Sequence, residues 1–366
     1  MGPARRPLRL LGAALACLTL ASCAITSPGS PTRSALPPSA TPGQGSSSPA
    51  PGDTVIASGL DAPWSIVFHR GTALISERDT TRIVEIGKDG TLREVGRITA
   101  AAPAGEGGLL GLAVREGWLY AYYTAADDNR IERFALRGEP GGLSLGAGEL
   151  ILDGLPSARN HNGGRIAFGP DQLLYVTVGD AGDQENAQDL GSLAGKILRL
   201  TAEGAVPAGN PFPGSPVYSY GHRNPQGLAW DAAGTLYASE FGQDTWDELN
   251  VIEPGGNYGW PEVEGIAGRA GFIDPVQQWN PDDASPSGMA FLDGTLYLAN
   301  LRGERLREVP LTDLTSSTER FVDEVGRLRD VAVAPDGSLW LLTNNTDGRG
   351  SPRPGDDHIL RIEPSR

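Results

Sequence analysis

A short apolar and aromatic run returns along the chain, each time after a turn. It reads Gly71-Thr72-Ala73-Leu74-Ile75-Ser76, Gly117-Trp118-Leu119-Tyr120-Ala121-Tyr122, Gln172-Leu173-Leu174-Tyr175-Val176-Thr177, Gly234-Thr235-Leu236-Tyr237-Ala238-Ser239, Gly294-Thr295-Leu296-Tyr297-Leu298-Ala299 and Gly337-Ser338-Leu339-Trp340-Leu341-Leu342. Short β-branched and aromatic runs bounded by Gly, Pro, Asn and Asp predict strands, and long helical periods are scarce. Successive starts lie 46, 55, 62, 60 and 43 residues apart, the length of one four-stranded blade with variable loops. A β-sandwich needs no such recurring unit. The expected fold class is therefore all-β, a six-bladed β-propeller, in which loops on one face converge on a central channel and bring distant residues into one site.

The N-terminus departs from this pattern. Arg5, Arg6 and Arg9 precede an apolar run at residues 10–21 that is too short to span a bilayer stably, the form of an export signal. It ends in Leu20-Ala21-Ser22-Cys23, which resembles a bacterial lipobox, whose cysteine is acylated and becomes the first residue of the mature protein. The paired arginines also resemble a twin-arginine signal, although a basic leader explains them as well. Residues 24–53 are almost entirely Ser, Pro, Thr, Gly and Ala, a composition of a flexible, disordered tether. The expected organisation is a signal peptide at 1–22, a linker at 23–53 with lipidated Cys23, and a propeller at 54–366. Such a protein is exported and held by a lipid anchor on the outer side of the cytoplasmic membrane.

Composition narrows the chemistry. The only cysteines are Cys17 and Cys23, so the propeller has no disulfide and no thiol chemistry. The net charge is -15, and without Arg5, Arg6 and Arg9 the chain keeps 27 basic against 45 acidic residues, which disfavours nucleic acid as a partner. No apolar interface stands out, and monomer is the default.

With four histidines in the chain, His161 in His161-Asn162-Gly163-Gly164-Arg165 is conspicuous. Its glycines let backbone approach a ligand closely, and Asp180, at the end of the following strand, is placed to orient a histidine base. Gly221-His222-Arg223-Asn224-Pro225-Gln226-Gly227 packs a guanidinium and two amides into a constrained turn, a donor array suited to carboxylate or quinone oxygens. In Arg327-Leu328-Arg329-Asp330, positions i and i+2 of a strand share a face, so two guanidiniums repel unless an anion or a carboxylate lies between them; Asp330 faces opposite. Glu240, Asp244, Asp247 and Glu248, with Asn250 and the turn Gly255-Gly256-Asn257-Tyr258-Gly259-Trp260-Pro261, form an oxygen-rich stretch of the kind Ca²⁺ prefers. Each motif also has a structural reading, as a satisfied turn or a solvated acidic loop.

Taken in order with Gly105-Glu106-Gly107-Gly108-Leu109-Leu110-Gly111, these motifs resemble the soluble pyrroloquinoline-quinone-dependent glucose and aldose sugar dehydrogenases, over nearly all of the chain from about Thr54 to Glu363. The resemblance implies a quinoprotein that oxidises the C1 hydroxyl of aldose sugars to lactones, with hydride passing to pyrroloquinoline quinone and electrons onward to an external acceptor that the sequence does not name. It implies His161 as the base, Asp180 as its orienting carboxylate, and Arg223 and Asn224 as cofactor contacts, Arg223 stabilising charge on the reduced quinone. It further implies Arg327 and Arg329 on cofactor carboxylates, Glu106 near cofactor and sugar, and Arg302 where relatives often carry lysine. Ca²⁺ is implied twice: at the carbonyls of Gly242 and Gln243, and at a structural site with Glu248 and Tyr258. Two departures bear on the calcium sites: Phe241-Gly242-Gln243 replaces a more polar, proline-containing turn, and Gly268 stands where the glucose enzyme has an acidic ligand. A calcium-dependent propeller lactonase or hydrolase and a non-catalytic ligand-binding propeller are the competing readings.

Overall fold

The computed structural model describes Gly2 and residues 53–365; the rest of the expected signal peptide, Cys23 and the expected linker up to residue 52 lie outside the described residues. Residues 54–362 form six four-stranded antiparallel sheets. Blades 1 to 5 run consecutively through residues 63–97, 109–155, 166–220, 225–279 and 286–320. Blade 6 takes three strands from residues 328–362 and its outermost from Thr54–Ser58, which pairs with His358–Ile362 through Thr54↔Arg361 and Ser58↔His358. The first strand of the fold thus closes the ring against the last, and the sheet edge that each would expose is paired. The expected six-bladed, all-β propeller is the observed fold.

Each recurring sequence signal is the second strand of its blade, fully or almost fully buried because both of its faces are covered: Thr72–Glu77, Trp118–Thr124, Leu174–Val178, Leu236–Glu240, Thr295–Asn300 and Leu339–Thr343. Among the described residues six apolar clusters form the core, one between every pair of neighbouring blades. The largest joins blades 2 and 3 through Tyr120, Tyr122, Ile166, Val176 and Leu198. Burial of these aliphatic and aromatic faces contributes roughly 25 cal/mol per Å² of apolar area removed from water.

The channel wall is polar. First strands of adjacent blades are cross-tied by Gly111 N–H to the Gly164 carbonyl (3.1 Å), Leu112 N–H to Ser65 Oγ (3.3 Å) and Ser287 Oγ to Gln226 Oε1 (3.1 Å). Arg165 from blade 3 donates to the Gln226 carbonyl in blade 4 (2.8 Å) and reaches Asp330 in blade 6 (3.0 Å), while its guanidinium lies 4.4 Å from the Trp64 ring centre. Asp330 also accepts from Ile66 N–H at 2.9 Å. The carboxylate expected to face away from the arginine pair is therefore a tie between blades.

Candidate active site

In an antiparallel blade the start of the first strand and the end of the second lie at the same end of the channel. His161, Arg223, Arg327 and Glu106 precede first strands, whereas Asp180, Gly242 and Arg302 follow second strands. Their common face follows from topology alone.

His161 has φ 56°, in the left-handed region that costs a non-glycine residue energy. The conformation is held on several sides: Glu106 Oε2 accepts its N–H at 2.9 Å, and its carbonyl accepts the Ala181 N–H at 3.3 Å. Its ring Nδ1 meets Asp180 Oδ1 at 2.7 Å. Asp180 is committed on both oxygens, Oδ1 also accepting Gly182 N–H (2.8 Å) and Oδ2 the Trp260 indole N–H (2.9 Å). Burial works to raise the Asp180 carboxyl, but the His161 contact and these donors together hold it below the usual carboxylate range. An ionised Asp180 selects the tautomer with hydrogen on Nδ1, so the unpartnered Nε2 of the partly exposed ring carries the basic lone pair. The neighbouring glycines serve packing rather than a ligand: a Cβ on Gly163 would meet the Thr177 carbonyl at 2.5 Å, and one on Gly164 would meet the Leu110 side chain at 2.6 Å.

Arg223 and Asn224 are presented by a buried polar chain. Ser219 Oγ and His222 Nε2 lie 2.8 Å apart, His222 Nδ1 meets Glu240 Oε2 at 2.8 Å, and Glu240 Oε1 accepts the backbone N–H groups of Arg223 and Asn224. Tyr258 stacks on His222 with ring centres 4.7 Å apart. Arg223 donates to the Phe241 carbonyl (3.2 Å) and Asn224 Oδ1 accepts Gly163 N–H (3.0 Å), which joins this turn to the histidine turn. Burial lowers the Arg223 guanidinium, with the charges of Asp180 and Glu240 opposing.

Arg327 and Arg329 converge as their spacing suggested, and the carboxylate between them is Asp347, which sequence reasoning missed. Arg327 Nη2 lies 3.1 Å and Arg329 Nη2 3.8 Å from Asp347 Oδ2. Arg329 also donates to Gln226 Oε1 (2.9 Å) and Ser287 Oγ (3.3 Å). Burial, with the neighbouring Arg327, Arg78 and Arg165, draws Arg329 down to about 9 against the pull of Asp347. Asp347 lies two residues beyond an Asn-Asn pair in an irregular loop, and no periodicity marks it. Arg302 is not brought into this group; it is exposed and pairs with Asp282 at 2.6 Å.

Among the described residues, four buried side-chain donors in this region have no acceptor: Nε of Arg223, Nδ2 of Asn224, Nε of Arg327 and Nη2 of Arg165. Buried donors without partners are costly, and four of them around arginines fit an oxygen-rich polyanion such as pyrroloquinoline quinone, with its carboxylates and two quinone carbonyls.

The calcium candidates fit in part. Neither the Gly242 nor the Gln243 carbonyl accepts a hydrogen bond among the described residues, and their turn is held by Asp247 accepting from Gly242 N–H (2.8 Å) and Glu264 from Gln243 N–H (2.7 Å). Glu240, Glu248, Glu264, Tyr258 and Arg223 line an adjoining cavity of about 10 Å³, room for one ion or water. Burial and the charge of Glu240 push Glu248 up to about 8. The Tyr258 hydroxyl is already committed, donating to the Val251 carbonyl (2.6 Å) and accepting Glu253 N–H (2.8 Å), which leaves its backbone carbonyl as the available oxygen. Gly268 lies on an exposed turn whose N–H is taken by Asp274. No group of three acidic or histidine side chains converges as a metal cluster among the described residues.

Comparison with known proteins agrees with this fold. The family model for glucose/sorbosone dehydrogenase matches residues 60–360. A solved PQQ-bound aldose sugar dehydrogenase from Streptomyces coelicolor superposes with TM-score 0.82 at 51% identity, covering 86% of this chain and 99% of that one. The aldose sugar dehydrogenase of Escherichia coli is 29% identical over 80% of this chain and 90% of its own length. Quinoprotein glucose dehydrogenase B of Acinetobacter calcoaceticus is 33% identical over 60% of this chain and 54% of its own. With a family match over residues 60–360 and a histidine, carboxylate and arginine set at one mouth of its channel, this chain belongs to the glucose/sorbosone dehydrogenase family.

Proposed function

We propose that the protein is a quinoprotein dehydrogenase that oxidises the C1 hydroxyl of an aldose to the lactone, using pyrroloquinoline quinone and Ca²⁺ and passing electrons to an external acceptor. The observation that carries the proposal is the His161 ring, oriented through Nδ1 by Asp180 and with Nε2 unpartnered among the described residues, beside buried arginine and asparagine donors that have no acceptor there. His161 Nε2 takes the proton of the C1 hydroxyl, and Asp180 stabilises the imidazolium that results. Arg223 and Asn224 would hold the quinone oxygens, where the Arg223 guanidinium would offset negative charge. Arg327 and Arg329 would bind carboxylates of the cofactor. When bound, pyrroloquinoline quinone supplies the two-electron acceptor for the C1 hydride, and Ca²⁺, at the Gly242 and Gln243 carbonyls, the Lewis acid that polarises it. Glu248 and the Tyr258 carbonyl are the candidates for a second, structural Ca²⁺.

The lipobox-like sequence before Cys23 and the Ser/Pro-rich stretch after it support an exported protein tethered by lipid outside the cytoplasmic membrane, acting as a monomer on diffusible sugars. The test is a titration of the metal-stripped propeller with pyrroloquinoline quinone, with and without Ca²⁺, followed by dye reduction with a panel of aldoses. Calcium-dependent binding, with turnover that His161→Ala lowers by about 10²–10⁴, is expected for loss of a general base. Binding without turnover of any aldose would sink the proposal.

A further inference from the structure

One contact spans the channel mouth. Glu106 Oε2 accepts the backbone N–H of His161 at 2.9 Å, and Glu106 Oε1 lies 3.0 Å from Nη2 of Arg349. A single carboxylate therefore separates the histidine that carries the base from a guanidinium contributed by the last blade. Arg349 is 52% exposed and Glu106 18% at the side chain.

The segment that carries Arg349 is anchored at its root and open at its tip. Asp347 Oδ1 accepts the N–H groups of Arg349 (2.9 Å) and Gly350 (3.2 Å), while its other oxygen is bound by Arg327. A Cβ on Gly350 would meet the Asn345 carbonyl at 2.5 Å, whereas one on Gly348 would meet nothing within 4 Å. Beyond its contact with Glu106, the Arg349 guanidinium has no side-chain partner among the described residues, and it carries five N–H donors. Exposed ion pairs of this kind contribute little to stability, so a ligand displaces one readily.

We propose that Arg349 is a specificity-determining residue that, beside Glu106, binds hydroxyls of the sugar whose C1 lies at His161. A carboxylate and a guanidinium side by side match the vicinal hydroxyls of a pyranose, each of which donates and accepts. The pair is net neutral, which suits an uncharged polyol over a sugar phosphate. This inference rests on the dehydrogenase reading above.

The test is dye reduction by the full-length protein loaded with pyrroloquinoline quinone and Ca²⁺, with D-glucose as the probe, comparing wild type, Arg349→Ala and Arg349→Lys. Arg349→Ala is expected to raise KM roughly tenfold, the factor one charge-assisted hydrogen bond supports, with most of the loss in KM rather than kcat. Arg349→Lys is expected to recover part of it, and the cofactor affinity, read by quenching of tryptophan fluorescence, is expected to stay at the wild-type value. A second readout needs no turnover: in His161→Ala protein, D-glucose should slow amide exchange at residues 346–350, and Arg349→Ala should abolish that protection. An unchanged KM, or a loss confined to cofactor affinity, would overturn the role of Arg349 while leaving the dehydrogenase reading intact. A wild type that binds no cofactor and oxidises no aldose would overturn that reading and this inference with it.

Discussion

Asp180 shows how much one side chain decides. Its two oxygens accept from the His161 ring, Gly182 N–H and the Trp260 indole, so one carboxylate fixes a tautomer, closes a turn and ties blade 3 to blade 4. Asp180→Asn keeps the shape but loses the charge that selects the Nδ1–H tautomer, and kcat is expected to fall by about 10²–10⁴, measured by dye reduction with saturating sugar. The same residue has a pH signature. Its folded carboxyl is held below the unfolded value of about 3.9, so the folded protein binds fewer protons between the two values and loses stability as pH falls through that window. Thermal melts from pH 6 down to pH 3 should show the stability gap between wild type and Asp180→Asn narrowing below about pH 4. A gap that stays constant would mean that Asp180 is not depressed by its neighbours.

At the scale of elements, the loop of residues 181–195 supports the turn that presents Arg223. Lys196, one of two lysines in the chain, is fully buried and donates to the carbonyls of Asn186 (2.7 Å), Ala187 (3.1 Å) and Ala194 (2.6 Å). Three acceptors match the three N–H bonds of an ammonium, which resists the burial that draws the group down to about 8. Through Gly221 N–H to the Ala187 carbonyl (2.9 Å) and His222 N–H to the Gly195 carbonyl (3.2 Å), the loop holds the segment before Arg223. Lys196→Met removes the donor shared by these carbonyls: Ala187 keeps the Gly221 N–H and Asn186 the Asp189 N–H (3.2 Å), but the Ala194 carbonyl is left without a donor among the described residues, and the cost is expected to be about 2 kcal/mol, read from denaturant unfolding. Cofactor affinity should fall as well, because the Arg223 turn loses its support.

For the whole molecule, the ring is closed by strand Thr54–Ser58, whose Ala57 is buried in the cluster between blades 6 and 1. Deleting residues 54–58 with everything before them exposes the edge of His358–Ile362 and is expected to lower the melting temperature by about 5–10 °C, since each kcal/mol shifts it by roughly 2–4 °C in a domain of 150–250 residues. A chain that starts at Asp53 should melt with the full-length protein. Equal losses in both truncations would place the propeller boundary earlier than the composition suggests.

Strand content and the six-fold repeat were readable in the linear chain, because apolar, β-branched and aromatic runs and the turn residues that bound them act over a few positions. The meeting of His161 with Asp180, and of Arg223 with Asn224, was readable for the same reason: each pair is separated by at most one strand or turn. What only the tertiary structure decided lies mostly between blades. Asp330 as a cross-channel tie for Arg165 and the reach of Arg349 to Glu106 join residues 165 and 243 positions apart, while Asp347, in the same blade as Arg327 and Arg329, was hidden by its irregular loop. No local pattern encodes such contacts, since charged side chains pair by where ring closure puts them, and that closure is a property of all six packed interfaces at once.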